Sequence, residues 1–144
     1  MEKIQSMSEK QNIDIMKRMV EIINERKLDQ LAELTHPDFK RHDLAGAFPN
    51  VTGTGGPTNI AQMVLKAIPD MHYEIKQMVA KDDRVAVQLK GTGTHQGEFL
   101  SVAATGKQLE WNAIYIYRFK DGKAIETWQL SDIWGIMRQI GKVK

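Results

Sequence analysis

Two periodicities divide the chain. Up to Ile68 the apolar residues recur every three or four positions, whereas from residue 72 onward they alternate with polar ones, so helices precede strands. Ile13, Met16, Met19, Val20 and Ile23 form one apolar stripe behind Ser8 and Gln11, a capping-box pair, and predict a first amphipathic helix. Asp29 is placed to cap a short second helix through Leu31 and Leu34. That helix must end before His36, because the residue ahead of Pro37 avoids the helical region. Residues 39–43 read as a short extended piece and the glycine-rich residues 44–56 as a loop. Pro57 suits the first turn of a third helix, which carries Ile60, Met63, Val64 and Ile68 and is stopped by Pro69.

Residues 72–79, 84–95, 109–119 and 123–132 are rich in Val, Ile, Tyr and Trp and predict four strands, with Asp82-Asp83 and Asp121-Gly122 as turns. The connection over 96–108 is too long for a tight hairpin and should lip over one end of the sheet. Helices followed by antiparallel strands predict an α+β fold. The expected architecture is one domain over residues 1–144: three helices on one face of a curved, mostly antiparallel four-stranded sheet, then a short C-terminal helix. Such a stack encloses a cone, and a cone is a pocket.

Composition narrows the chemistry. The 144 residues suit one domain with a real core, and the absence of cysteine excludes disulfides, thiolate nucleophiles and thiolate metal sites. The four histidines, at 36, 42, 72 and 95, show no i, i+4 spacing beside acids, so neither a metal nor a cofactor is expected. A net charge of +2, with the only basic run at 141–144, argues against a nucleic-acid partner. No apolar stretch approaches the roughly 18 residues of a membrane span, and the first residues lack the apolar core of a signal peptide, so a cytoplasmic address is expected.

The last strand carries the candidate chemistry. Alternation puts Glu126, Trp128, Leu130 and Asp132 on one side, two carboxylates among apolar groups, where a carboxyl resists ionising. Asp132 equally precedes residues 133–139 as a helix N-cap would. His95 continues the inward row of Val85, Val87 and Leu89, either to hydrogen-bond a substrate or to order the next loop. His42 and Asp43 point to opposite sides of an extended segment; His42 is taken as the pocket residue, leaving Asp43 to bind an amide of the following loop. Glu126 is either a pocket acid or the partner of an arginine. Trp111, Tyr115, Tyr117 and Trp128 make an aromatic wall or plain core.

Several stretches together carry a family resemblance: 91–99 (GTGTHQGEF), 104–107 (ATGK), 117–123 (YRFKDGK), Glu126 through Trp128 to Asp132, and 139–141 (QIG). With them the chain resembles the SnoaL-like polyketide cyclase, or ester cyclase, family over roughly residues 12–141. The resemblance implies the cone-shaped α+β barrel shared with ketosteroid isomerase and scytalone dehydratase. It also implies intramolecular aldol closure without metal or cofactor, although relatives that hydroxylate share the pattern. Asp132 would be the acid/base, with His95 and His42 as substrate-positioning donors and Trp111, Tyr115, Tyr117, Glu126 and Trp128 lining the substrate. The cyclases tend to carry a histidine on the preceding strand, facing the aspartate, where this chain has Tyr115, Ile116, Tyr117 and Arg118. The expected function is thus cofactor-independent acid/base catalysis on a carbonyl-bearing, aromatic or polycyclic small molecule. The alternative is a non-catalytic module that uses the same cone for binding or dimerisation. Under either, a homodimer is expected to cover the outer sheet face.

Overall fold

The computed structural model describes residues 7–144. Helix α1 (Met7–Glu25) turns Met16, Met19, Val20 and Ile22 inward, each burial contributing roughly 1.5–3 kcal/mol of transfer free energy. Ser8 lies inside this helix rather than at its cap, so the capping-box expectation is corrected. The second helix is a 3-10 helix, Leu28–Leu34, flanked by Lys27; Asp29 sits within it and makes no cap bond. Helix α2 (Gly56–Ala67) carries its proline in the first turn and ends at Ile68, as Pro57 and Pro69 predicted.

The sheet departs from expectation in one respect. It has five strands, not four: β1 (Thr35–Asp43), β2 (His72–Lys81), β3 (Arg84–Thr94), β4 (Gln108–Lys120) and β5 (Lys123–Ser131), in the order β1-β5-β4-β3-β2. Neighbours are antiparallel except β1, which runs parallel to β5. The expected extended piece at 39–43 is therefore the end of a full edge strand, where Pro37 is tolerated because no neighbour needs its missing N–H. Helix α3 (Ile133–Gln139) follows β5 directly. Among the described residues no helix is long and apolar enough to cross a membrane.

The inner face of the sheet is set by β3 and β4. Val85, Val87 and Leu89 alternate with exposed or half-buried residues, as do Leu109, Trp111, Ala113, Tyr115, Tyr117 and Phe119. Gly91 pairs with Trp111 across the two strands, and a Cβ there would overlap the indole. The glycine thus makes room for the largest ring of the inner wall. At the other end of the molecule Glu9 of α1 accepts the Asp82 N–H at 2.6 Å, tying the first helix to the turn between β2 and β3.

Candidate functional site

Between α1, α2 and the inner face lies a largely apolar space with two lobes. The larger, of ≈ 60 Å³, is walled by side chains such as Met16, Met19, Phe39, Met71 and Leu89. The smaller, of ≈ 30 Å³, reaches toward α3 through Phe48, Phe99, Trp111 and Ile136. Arg41, Ile60, Val64, Tyr73, Tyr115 and Gln129 border both and form a waist.

The polar atoms of this space lie close together. The Arg41 Nε donates to Gln129 Oε1 at 3.1 Å, and Gln129 Nε2 donates to the Tyr117 hydroxyl at 2.9 Å. Arg41 Nη1 donates to the Pro49 carbonyl at 3.1 Å, and the Tyr115 hydroxyl lies 3.5 Å from Ser131 Oγ. Burial pushes the phenols of Tyr73 and Tyr117 well up from their ordinary value, with the neighbouring Tyr115 adding to it, so both remain protonated donors. Among the described residues that line either lobe, Arg41 alone is ionised at neutral pH, and no carboxylate or imidazole is present.

Asp132 lies elsewhere. Its carboxylate Oδ1 accepts the Gly135 N–H at 2.9 Å, capping α3, and the residue is exposed beside Ile114, Leu130 and Trp134. Asp132 lines neither lobe of the cone; the apolar residues beside it form an open depression on the outer face, and the cap geometry weighed beside the pocket role is present. Replacing Asp132 with Ala should lower stability by about 1 kcal/mol, whereas Asn, an equally good cap, should leave it nearly unchanged. Urea unfolding of the two variants measures this, and equal losses would show that the Gly135 bond is not what the side chain contributes.

Glu126, Trp128 and Leu130 share the Asp132 side, as alternation requires, but that side is the outer one. A β-bulge is the cause. Lys120 pairs with Lys123 and Phe119 with Ala124, but Arg118 pairs with Glu126, so Ile125 is skipped. One skipped residue exchanges the two faces of everything beyond it. Hence Thr127 and Gln129 are buried on the inner side, while Ile116 faces Trp128 and Ile114 faces Leu130 outside.

The outer face holds its own cluster. His42 Nε2 lies 2.7 Å from Glu126 Oε2, its ring stacks on Trp128 at 5.4 Å, and Arg118 donates to Glu126 Oε1 at 2.9 Å. Arg84 lies 5.2 Å from the Trp128 ring centre. The expectation of His42 in the pocket is corrected: in β1 its neighbours Arg41 and Asp43 are the inward residues, and Asp43 accepts the N–H groups of Ala47 and Phe48 at 2.6 Å. Glu126 is the partner of an arginine rather than a pocket acid.

The His42 hydrogen bond, then Arg118, hold the Glu126 carboxyl below its ordinary pKa against an opposing burial effect. A carboxyl lowered in the folded state stabilises above its unfolded pKa and loses that contribution as pH falls through the folded value. Glu126→Gln should therefore be less stable than the parent at neutral pH, with the gap closing on acidification. Urea midpoints from about pH 7 down to about pH 3 test it, and a gap that stays constant with pH would contradict it.

His95 is fully buried, in line with its row, but lines neither lobe. Its Nδ1 accepts the Thr105 N–H at 3.3 Å and lies 2.9 Å from Thr105 Oγ1, which fastens the 96–107 connection. Its Nε2 is the one buried side-chain polar atom without a partner among the described residues. Tyr115 and Tyr117 border the larger lobe and Trp111 the smaller.

Sequence reasoning missed Arg41, Gln129 and Tyr73. The signal for Gln129 lies in its pairing: Tyr115 stands directly opposite it on β4, so the two side chains share a face.

The chain is 30% identical over 134 residues, 90% of each chain, to the aklanonic acid methyl ester cyclase DnrD of Streptomyces peucetius. It is 29% identical over 136 residues, 92% of each, to the aklanonic acid methyl ester cyclase AcmA of Streptomyces galilaeus. Its structure matches that of AclR from Streptomyces galilaeus with a TM-score of 0.83 at 29% identity, covering 94% of this chain and 99% of that one. The family described as SnoaL-like polyketide cyclase matches residues 13–140. With that match spanning most of its length, the chain belongs to the SnoaL-like polyketide cyclase family.

Proposed function

We propose that the protein binds a small, largely apolar, carbonyl-bearing ring compound inside the cone and promotes cofactor-independent ring closure or isomerisation at a carbon next to that carbonyl. The observation that carries this reading is the gathering of Arg41, Gln129 and the three tyrosine hydroxyls on one wall of an otherwise apolar space. Removing a proton beside a carbonyl builds negative charge on its oxygen, and a fixed cation with protonated phenols stabilises that charge. The named activity of the relatives, cyclisation of a methyl ester, is chemistry of this kind.

Asp132 reaches the reacting carbon only if it leaves the Gly135 amide and crosses the sheet. The roles in this proposal therefore fall on Arg41 and the tyrosines as electrophiles, with water admitted alongside the substrate as the proton acceptor. Size restricts the substrate. Ordinary ligand sites span roughly 300–1,000 Å³, far above the two lobes, so a polycyclic compound needs Met16, Met19 and Met71 to move aside.

The lining without a base favours a second reading, in which the cone binds such compounds without turning them over. Incubation with single-ring aryl keto esters, followed by NMR, separates the two. An aldol product formed faster than in buffer supports catalysis, and saturable binding without product supports the module. No binding at all sinks both.

For assembly we propose a homodimer through the outer face, where Ile114, Ile116, Leu130 and Trp134 are 40–58% exposed. A two-fold axis at Ile114 lays β4 antiparallel on its copy and sets Glu110 against the opposite charge at Arg118. Sedimentation at micromolar concentration tests it, and a monomer there rejects it.

A further inference from the structure

We propose that the ligand of the cone carries a free carboxylate, gripped by Arg41 at the waist between the two lobes. This rests on the small-molecule reading above and assigns the ligand's charged group: Arg41 then holds that group, and the reacting carbonyl falls to the tyrosine hydroxyls. Arg41 is 5% exposed, and a guanidinium brings five N–H donors into that dry setting. Two acceptors meet it at hydrogen-bonding distance, Gln129 Oε1 and the Pro49 carbonyl, and both are neutral. Asp43 Oδ1 stands 3.9 Å from Nη2, too far for a hydrogen bond, and Asp43 Oδ2 is occupied by two backbone amides. The Phe48 ring lies 5.8 Å from the guanidinium carbon. Asp43 thus balances the Arg41 charge as a buried ion pair, while the guanidinium N–H groups beyond those bonded to Gln129 and Pro49 have no acceptor at hydrogen-bonding distance, and a ligand carboxylate would supply it.

The polar groups at and beside the waist point the same way. Tyr117 accepts from Gln129 and keeps its own proton to donate, and the Gln129 oxygen is already taken by Arg41. Tyr73 and Tyr115 add hydroxyls to the same border. A carboxylate presents two oxygens to the planar fork of an arginine, whereas an ester presents one carbonyl oxygen and no charge. One ring in the larger lobe, with the carboxylate at the waist, is the ligand this space accepts with least movement. The preference is then the reverse of what a methyl ester substrate, the one named for the relatives, would need.

Calorimetric titration of the full chain with benzoate and with methyl benzoate tests this. Benzoate should bind at least tenfold more tightly, and the Arg41 Nε–H signal in the ¹H–¹⁵N spectrum should move with benzoate and stay in place with the ester. In Arg41→Met the preference should vanish, and in Arg41→Lys part of it should remain. Should either variant fail to fold, the affinity ratio and the Arg41 signal of the unaltered protein decide. Equal affinities, a tighter ester, or benzoate binding that leaves Arg41 unmoved would overturn the carboxylate assignment and leave the small-molecule reading standing. No binding of either probe would overturn both.

Discussion

Insertion of one alanine after Ile125 should abolish cooperative folding altogether. Ile125 is the unpaired member of the β4–β5 bulge, and with one residue more each later residue of β5 shifts by one position against β4. Thr127 and Gln129 would turn outward, and Glu126, Trp128 and Leu130 inward, placing a carboxylate in the core without His42 or Arg118. The chain cannot easily slip back, because Asp121 and Gly122 hold the positive φ values of a tight hairpin turn that fixes the pairing of Lys120 with Lys123. Ile125→Ala is the control: it keeps the count and loses only buried side chain, at a cost of about 2–5 kcal/mol. Near-UV circular dichroism and urea unfolding of both variants supply the readout. An insertion variant with native tryptophan signals and a sharp transition would show that the residue count through the bulge does not set the faces of β5.

Phe39→Ala should bring the largest loss among single core substitutions, about 3–5 kcal/mol, within a total stability of about 5–15 kcal/mol for a typical domain. Phe39 is fully buried, borders the larger lobe, and packs on Gly56, where a Cβ would stand 3.1 Å from its ring. Its removal merges the vacated volume with an existing cavity, so an apolar ring should then bind and restore stability. Indole should raise the melting temperature of Phe39→Ala by several degrees and that of the parent by less than one. An equal response in both proteins would mean that the vacated volume does not join the lobe.

The sequence was most readable where chemistry is local. Pro57 and Pro69 bracketed α2, the alternation of β3 named the inward row of Val85, Val87 and Leu89, and that of β4 set Trp111, Tyr115 and Tyr117 on one face. Asp121-Gly122 named its hairpin. What stayed hidden depends on distant partners. β1 has no hairpin signal because its neighbour is β5, at the far end of the chain. The waist stayed hidden for a related reason: alternation says which residues share a face and not which face is inside. In β5 the apolar rule selects Trp128 and Leu130, and the bulge reverses the choice in favour of Thr127 and Gln129. His42 and Arg41 repeat the problem in β1, where the buried neighbour is the more polar one.

The parallel pairing of β1 with β5 also sets a timetable for synthesis. The stretch between Lys40 and its partner Glu126 takes roughly 4–17 s to translate at about 5–20 residues per second. During that interval β1 has no strand beside it, and Arg41 has no Gln129 to hold it. An unpaired edge invites pairing with other chains, and Pro37 in β1 makes it a poor template for doing so. The cone comes into existence only when β5 has left the ribosome, so no nascent chain can hold a ligand before its last strand is made.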